Sequence, residues 1–295
     1  MILKRQTLLL SMLEEFGKEL SNTDMMKYLF LITRYQEKRS YHFIPYKYGC
    51  FSFTAYADKR KLMEKGALKN SENWSLANGQ DSFYLKLSLK DRTLIKEIKK
   101  SFGHLQGKEL IRYIYLNYPY YALNSEILNE TLNELEISKL KLNLPENKFK
   151  VLYTIGYQER TVEEYINCLI KEDVKVLCDV RKNPVSRKYG FSKTTLQNAL
   201  ETVGIQYEHL PELGIPGASR KDLHSLEDYN RLFDSYEKQV LSSSHNLLDM
   251  IYRLIQKKKR VALTCFERLP EYCHRARVAD AVSRIFDPNL SIIDL

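Results

Sequence analysis

From residue 151 onward the chain alternates short apolar runs with stretches of helical periodicity, and this alternation restricts the available folds more than any other feature. VLYTIGY (151–157), VKVLCDV (174–180), IQYEHL (205–210) and VALTCF (261–266) read as strands. Thr161 to Lys171, Lys193 to Val203, Tyr229 to Ile255 (in one or two pieces) and Ala276 to Ile285 carry apolar residues at helical spacing. VKVLCDV has almost no polar alternation, as expected of a strand buried on both faces of a parallel sheet. Repeated strand–helix units predict an α/β region with a parallel, Rossmann-like sheet covered by helices. Such a sheet gathers the carboxyl ends of its strands on one edge, where ligands bind.

The first half reads differently. Thr7 to Leu20, Asp24 to Gln36, Ser52 to Lys65, Ser88 to Phe102 and Gly107 to Tyr118 are predicted helices, with Gly66 at a helix C-cap position. Two short strands are expected around Trp74–Leu76 and Phe83–Leu87. Three helices followed by a small hairpin is the order of a winged helix. KLNLPENKFK (141–150), with Pro145 and Asn147, marks a boundary. The expected organisation is a basic, mainly helical, winged-helix-like nucleic-acid-binding domain over 1–145 and an α/β domain over 150–295.

Charge separates the two halves. Residues 1–150 hold 25 Lys and Arg against 17 Asp and Glu, and residues 151–295 hold 21 against 20. The excess of +8 in the first half suggests a polyanion partner, with DNA favoured over RNA, or alternatively a solvated basic face. Tyr41, Phe43, Tyr46, Tyr48, Phe51, Phe53 and Tyr56 form an aromatic cluster interleaved with Lys47, Lys59, Arg60 and Lys61. The aromatics read as core first and base-stacking groups second, and the four cations as candidate nucleic-acid contacts. No apolar run is long enough for a membrane span, and the N-terminus is a poor signal peptide. Five cysteines in such a chain are expected to be reduced, and a cytoplasmic location follows.

Four polar sets come just after the four predicted strands: Gly156 and Tyr157; Asp179, Arg181, Ser186 and Arg187; His209, Glu212 and Gly214; Glu267, Cys273, His274 and Arg275. Asp179, Glu212 and Glu267 are candidates for acid–base or nucleophilic work. Tyr157, Arg181, Arg187, His209, His274 and Arg275 are candidates to bind substrate or phosphate, arginine because its planar fork matches an oxyanion. Asp179 with Arg181 also fits a salt bridge at the sheet edge, and His209 a core histidine. His274 and Arg275 open a predicted helix, where free N–H groups favour an anion. Cys273 at the same helix start is a candidate reactive thiol. C-x7-C-H at 265–274 lacks the spacing of a structural zinc site, so no metal is expected. The absence of G-x-G-x-x-G, P-loop and G-x-S-x-G patterns argues against a dinucleotide oxidoreductase, a P-loop ATPase or an α/β-hydrolase, and no cofactor is expected.

TIGY (154–157), CDVRKNPVSRKYGF (178–191), YEHLPELG (207–214) and CFERLPEYCHR (265–275) together resemble, in order and spacing, the domain-of-unknown-function-488 family, over residues 151 to about 286. That family usually has His-Ser after TIG, whereas this chain has Tyr157 and Gln158, so no histidine role carries over there. The N-terminal region resembles an extension found on some members and antitoxin-type helical or winged-helix domains. The resemblance implies the fold and the site's location, and a defence or stress context. The leading expectation is an enzyme acting on nucleic acid or a nucleotide, by glycosidic or phosphodiester cleavage. A non-catalytic recognition or regulatory protein and a cysteine-based redox or sulfur-transfer enzyme are the alternatives.

Overall fold

The computed structural model describes residues 2–79, 82–140, 149–220 and 223–295. The chain divides into two compact units, Met1–Asn143 and Leu144–Leu295. Most of the expected boundary, residues 141–148, lies outside the described residues.

The N-terminal unit is largely helical. Its elements are α1 (Lys4–Glu15), β1 (Glu19–Leu20), α2 (Asn22–Tyr35), β2 (Ile44–Tyr46), β3 (Gly49–Phe51), α3 (Phe53–Glu64), β4 (Trp74–Ser75), α4 (Leu89–Phe102), α5 (Gly107–Asn117) and two short helices, α6 (Leu128–Thr131) and α7 (Glu134–Lys139). Ser21, Ser52 and Ser88 each accept the amide three residues on, which starts α3 and α4 where the sequence places them and α2 two residues earlier than expected. Leu9, Met12, Leu29, Ile32, Trp74, Ile95, Leu110 and Ile114 belong to one buried core.

The expected hairpin of Trp74–Leu76 with Phe83–Leu87 is not formed. Tyr84–Lys86 is a 3-10 turn. The amides of Phe83 and Tyr84 are drawn off to the Glu14 carboxylate at 2.8 and 2.7 Å, so they do not enter a ladder. β4 instead runs antiparallel to β1, and Leu76 bridges to Leu68. The winged-helix reading therefore loses the hairpin on which it rested.

The C-terminal unit contains β5 (Val151–Gly156), α8 (Val162–Lys171), β6 (Val176–Asp179), α9 (Lys193–Glu201), β7 (Gln206–His209), α10 (Leu226–Gln239), α11 (His245–Lys258), β8 (Arg260–Cys265), α12 (His274–Phe286) and β9 (Ser291–Asp294). The five strands form one sheet in the order β7-β6-β8-β5-β9, every neighbouring pair parallel. The long helical stretch after β7 is indeed two helices, and β9 is a strand the sequence pattern did not reveal. Leu152, Val176, Cys178, Val261 and Leu263 share a buried cluster with Ile251 of α11 and Val278 and Val282 of α12. The alternate residues Tyr153, Ile155, Leu177 and Ala262 are buried too, so the central strands are covered on both faces, as their apolar sequences require.

Register aligns the strand ends. Gly156 lies opposite Cys265, and Asp179 lies opposite both Thr264 and His209. The loops after β5, β6, β7 and β8 therefore leave from one edge. They also touch: a Cβ on Gly156 would lie 1.8 Å from the Glu267 carbonyl oxygen, and one on Gly214 would lie 2.1 Å from the Lys182 nitrogen. Only glycine allows these crossings.

Candidate active site at the carboxyl edge

A hollow of about 380 Å³ opens on this edge. Tyr157, Arg181, Lys182, Asn183, Ser186, Arg187, Arg220, Cys265 and Phe266 are among its lining residues. Four of these are cationic, and none of the described lining residues is a carboxylate. Phe266 is 43% exposed, leaving a ring face available at the rim.

Of the side chains expected from the sequence, Tyr157, Arg181 and Arg187 line this hollow. Asp179 is fully buried behind it. Its carboxylate accepts from Arg181 Nε at 2.8 Å, from the Arg181 amide at 3.1 Å and from the Tyr207 hydroxyl at 2.6 Å, besides its ion pair with Arg181 Nη2. Arg181 Nη1 donates to the Tyr157 hydroxyl at 3.0 Å and to the Phe191 carbonyl at 2.8 Å. Tyr157 in turn stacks on Phe191, with centroids 4.4 Å apart. The alternation that turns Asp179 and Arg181 to one side thus yields a buried ion pair that fixes the hollow's floor. Burial, then the Asp179 charge, drives the Tyr207 hydroxyl far above the ordinary phenol range.

Glu267 and His274 sit against the wall through Arg220. Arg220 Nη1 donates to Glu267 Oε1 and Nη2 to His274 Nδ1, both at 2.8 Å. The other His274 nitrogen meets the Val180 carbonyl at 2.9 Å. Burial, reinforced by the charge on Cys265, raises the Glu267 carboxyl above its ordinary value. A carboxyl shifted this way holds a proton to higher pH, as a general acid must.

Of the two thiols at this edge, the shift that favours a thiolate falls on Cys265 rather than on Cys273, the thiol singled out from the sequence. Cys265, Cys273 and His274 bring their ligand atoms within 4.8 Å of one another. Burial pushes the Cys273 thiol well up. Cys265 is held well below the ordinary thiol range, chiefly by its contact with Cys273, against the opposing effect of burial, with help from the Arg220 guanidinium. The two shifts run in opposite directions, and the Cys265 sulfur lies 3.9 Å from Arg220 Nη2. The three ligand atoms are close enough for a metal ion, but Arg220 already holds His274 Nδ1. Binding there would require that guanidinium to leave.

The remaining expected residues lie elsewhere. His209 receives Lys193 Nζ at Nδ1 (3.2 Å) and meets the Arg181 carbonyl at Nε2 (3.0 Å). Glu212 lines a separate surface hollow with Lys182 and Ser243. Arg275 is fully buried and donates to the carbonyls of Glu267 and Arg268 and to Asp294, so it ties the loop after β8 to β9. The strand-end candidates Asp179, Arg181, His209, Glu212, Glu267 and Arg275 therefore do not all line this hollow. Of these, Arg181 alone is among the described residues lining the hollow. Asp179 is held behind it by Arg181 and Tyr207, Glu267 is paired with Arg220, and Arg275 is turned to loop carbonyls and Asp294. His209 meets Lys193 and the Arg181 carbonyl, and Glu212 faces another hollow.

Arg220, Lys182 and Cys265 were missed by sequence reasoning. Lys182 and Cys265 stood inside quoted motifs. Arg220 ends GIPGASR, which directly follows PELG on the same edge, and that adjacency was the available signal.

Among the expected nucleic-acid contacts of the N-terminal unit, Arg60 and Lys61 are exposed. Lys47 pairs with Glu126 at 2.9 Å. Lys59 is buried, its ammonium donating to Asn22 Oδ1 and the Glu72 carbonyl. Tyr41 and Phe43 are buried, and Tyr46, Phe51, Phe53 and Tyr56 pack ring on ring, which is the core reading of that cluster. Tyr48 is half exposed.

Residues 161–282 match the model of a protein family described as domain of unknown function DUF488. The match lies wholly within the C-terminal unit and contains Asp179, Arg181, Arg187, Arg220, Glu267 and the Cys265–Cys273–His274 cluster. A search of curated proteins and a search of solved structures returned no match. Among the described residues, no helix is long and apolar enough to cross a membrane.

Proposed function

We propose that the C-terminal unit is a phosphoester-cleaving enzyme that acts on a nucleotide or on nucleic acid. The observation that carries this reading is the wall of the carboxyl-edge hollow: Arg181, Lys182, Arg187 and Arg220, with no carboxylate among the described lining. A phosphate is the ligand whose charge and several oxygens such a set suits. The Phe266 face at the rim offers stacking for a base. Glycosidic cleavage, the other expected chemistry, uses two carboxyl groups flanking the bond. Here Asp179 is locked to Arg181 and Tyr207, and Glu212 faces another hollow. One carboxyl, Glu267, remains beside the hollow, which suits protonation of a leaving oxygen as the phosphorus–oxygen bond breaks.

A second reading rests on Cys265. A thiolate on the wall of an arginine-lined hollow is a nucleophile, and it would displace the leaving oxygen to form a sulfur–phosphorus bond that water then hydrolyses. The test is turnover of a nucleotide and oligonucleotide panel, with released phosphate or shortened product measured, for the wild type, Glu267→Gln, Cys265→Ser and Arg187→Ala. Loss in Glu267→Gln and Arg187→Ala supports the phosphoester reading, and equal loss in Cys265→Ser with trapping of a labelled protein supports the thiolate as nucleophile. Tight binding without turnover of any phosphoester would replace both with a recognition module.

A further inference from the structure

A second hollow of about 380 Å³ lies in the N-terminal unit, between α2, the β2–β3 hairpin and the start of α3. Four of its lining residues, Tyr46, Tyr48, Phe51 and Tyr56, are aromatic. Tyr46 stacks on Phe51 at 4.4 Å, Phe51 meets Tyr56 at 4.8 Å, and Tyr48 stands half exposed among the lining residues. The hollow also holds Lys27, which is only 2% exposed. Among the described residues, its ammonium makes no hydrogen bond or ion pair. Asp24, one turn earlier, is engaged by the Ser21 hydroxyl and the Gly107 amide. Gly49 lets the chain pass close to the ammonium: it has φ +97°, and a Cβ there would lie 3.5 Å from Lys27 Nζ.

A buried ammonium without a partner is costly, because transfer out of water is not offset by pairing. Here burial pulls the Lys27 pKa down, against the opposing effect of Cys50 and Asp24. Local rules are broken in this way where a site is kept for a ligand. The missing partner is an anion. Lys27 is the sole cation among the described residues lining the hollow. The nearby Lys59 is committed to Asn22 and the Glu72 carbonyl, and Glu72 itself stands on the rim. One positive charge beside an acidic rim suits a monoanion rather than a phosphate dianion. The ring-lined walls suit a flat aromatic body.

We propose that this hollow binds a small planar aromatic carboxylate, with Lys27 as the counter-ion of the carboxylate and the Tyr46–Phe51–Tyr56 rings as the walls that receive its ring. The site is separate from the carboxyl-edge hollow and does not depend on the function proposed there.

The full-length protein is titrated calorimetrically with benzoate, naphthalene-2-carboxylate and indole-3-carboxylate, and with benzamide and inorganic phosphate as contrasts. At least one carboxylate is expected to bind with Kd on the order of 1 mM or below. Benzamide, phosphate and Lys27→Met should each lose about tenfold or more, the size of one charged hydrogen bond. Lys27→Met is expected to melt no lower than the wild type, since it removes an unpaired charge. A Lys27 with only a structural role would lower the melting temperature and leave binding alone. Protection of Lys27 from acetic anhydride by naphthalene-2-carboxylate, read by peptide mass in the wild type, gives the same answer if the variant does not fold. Absence of binding by all three carboxylates, equal binding of benzamide, unchanged binding in Lys27→Met, or absence of protection would each overturn the proposal.

Discussion

Arg220 sets the tautomer of His274. A guanidinium only donates, so the 2.8 Å contact from Arg220 Nη2 makes His274 Nδ1 an acceptor and leaves the proton on Nε2, which donates to the Val180 carbonyl. The same guanidinium pairs with Glu267 and lies 3.9 Å from the Cys265 sulfur. One arginine missed in the sequence therefore touches the Glu267 carboxyl, the His274 imidazole and the Cys265 sulfur together.

Removing that guanidinium should move the thiolate. Because its pKa is lowered, Cys265 should keep a negative charge below the ordinary thiol range and lose it as the pH falls through the lowered value. Arg220→Met should shift this transition to higher pH, and so should Cys273→Ala, which removes the largest stabilising contact. Thiolate ultraviolet absorbance, with Cys265→Ser as the blank, measures the shift. A transition that stays in place in both variants would show that neither group stabilises the charge.

Glu267 should appear in the pH profile of turnover. Its raised pKa keeps the acid form to higher pH, so a step that needs its proton should slow as pH rises through that pKa. Glu267→Gln should lower kcat by about 100-fold to 10,000-fold, the usual contribution of a positioned acid, and should flatten the basic limb. A variant that is slower but keeps that limb would assign the limb to another group.

Asp179 and Arg181 should behave as a structural pair. Asp179→Ala leaves a guanidinium nearly buried and unpaired, which costs about 3–5 kcal/mol. Urea unfolding should show this loss, and the double variant Asp179→Ala/Arg181→Met should recover part of it. If the double variant is as unstable as the sum of the singles, the two residues are not coupled through this bridge.

Arg275→Ala is expected to lower the melting temperature and spare binding. Its guanidinium holds the carbonyls of Glu267 and Arg268 and the Asp294 carboxylate, away from the hollow. Nucleotide affinity of the folded fraction should stay within about twofold, well below the tenfold or more expected of a lost phosphate contact. A selective binding defect at unchanged stability would return Arg275 to the ligand.

Binding of an oligonucleotide by the whole chain should weaken with salt, because lysine and arginine contacts release counterions. Lys61→Ala should reduce the log–log slope by about 0.9, the contribution of one phosphate, if exposed Lys61 touches the backbone. Lys59→Met should change the melting temperature and leave the slope alone, since its ammonium is held by Asn22 and the Glu72 carbonyl. A salt-independent affinity would remove the polyanion reading of the basic N-terminal half.

Periodicity and apolar runs determined the parallel sheet, its covering helices and the edge on which the loops gather, because burial on both faces writes itself into every residue of a strand such as VLCD. Serine caps such as Ser21 and Ser88 are local contacts, and they too could be read from sequence. The mistaken hairpin at 83–87 turned on Glu14, distant in the chain, capturing two amides. β9 escaped notice because four exposed residues, Ser291–Asp294, carry no burial pattern. The site divided along the same line. The chain placed Asp179, Arg181, Glu267, Cys273, His274 and Arg275 near one edge, but what each side chain does there depends on its partners. Tertiary structure bound Asp179 to Tyr207, turned Arg275 toward Asp294, brought Arg220 to Glu267 and His274, and put the lowered thiol pKa on Cys265 rather than Cys273. Charge and proton positions are set by distances of a few ångströms between residues far apart in sequence, and no periodicity records those distances.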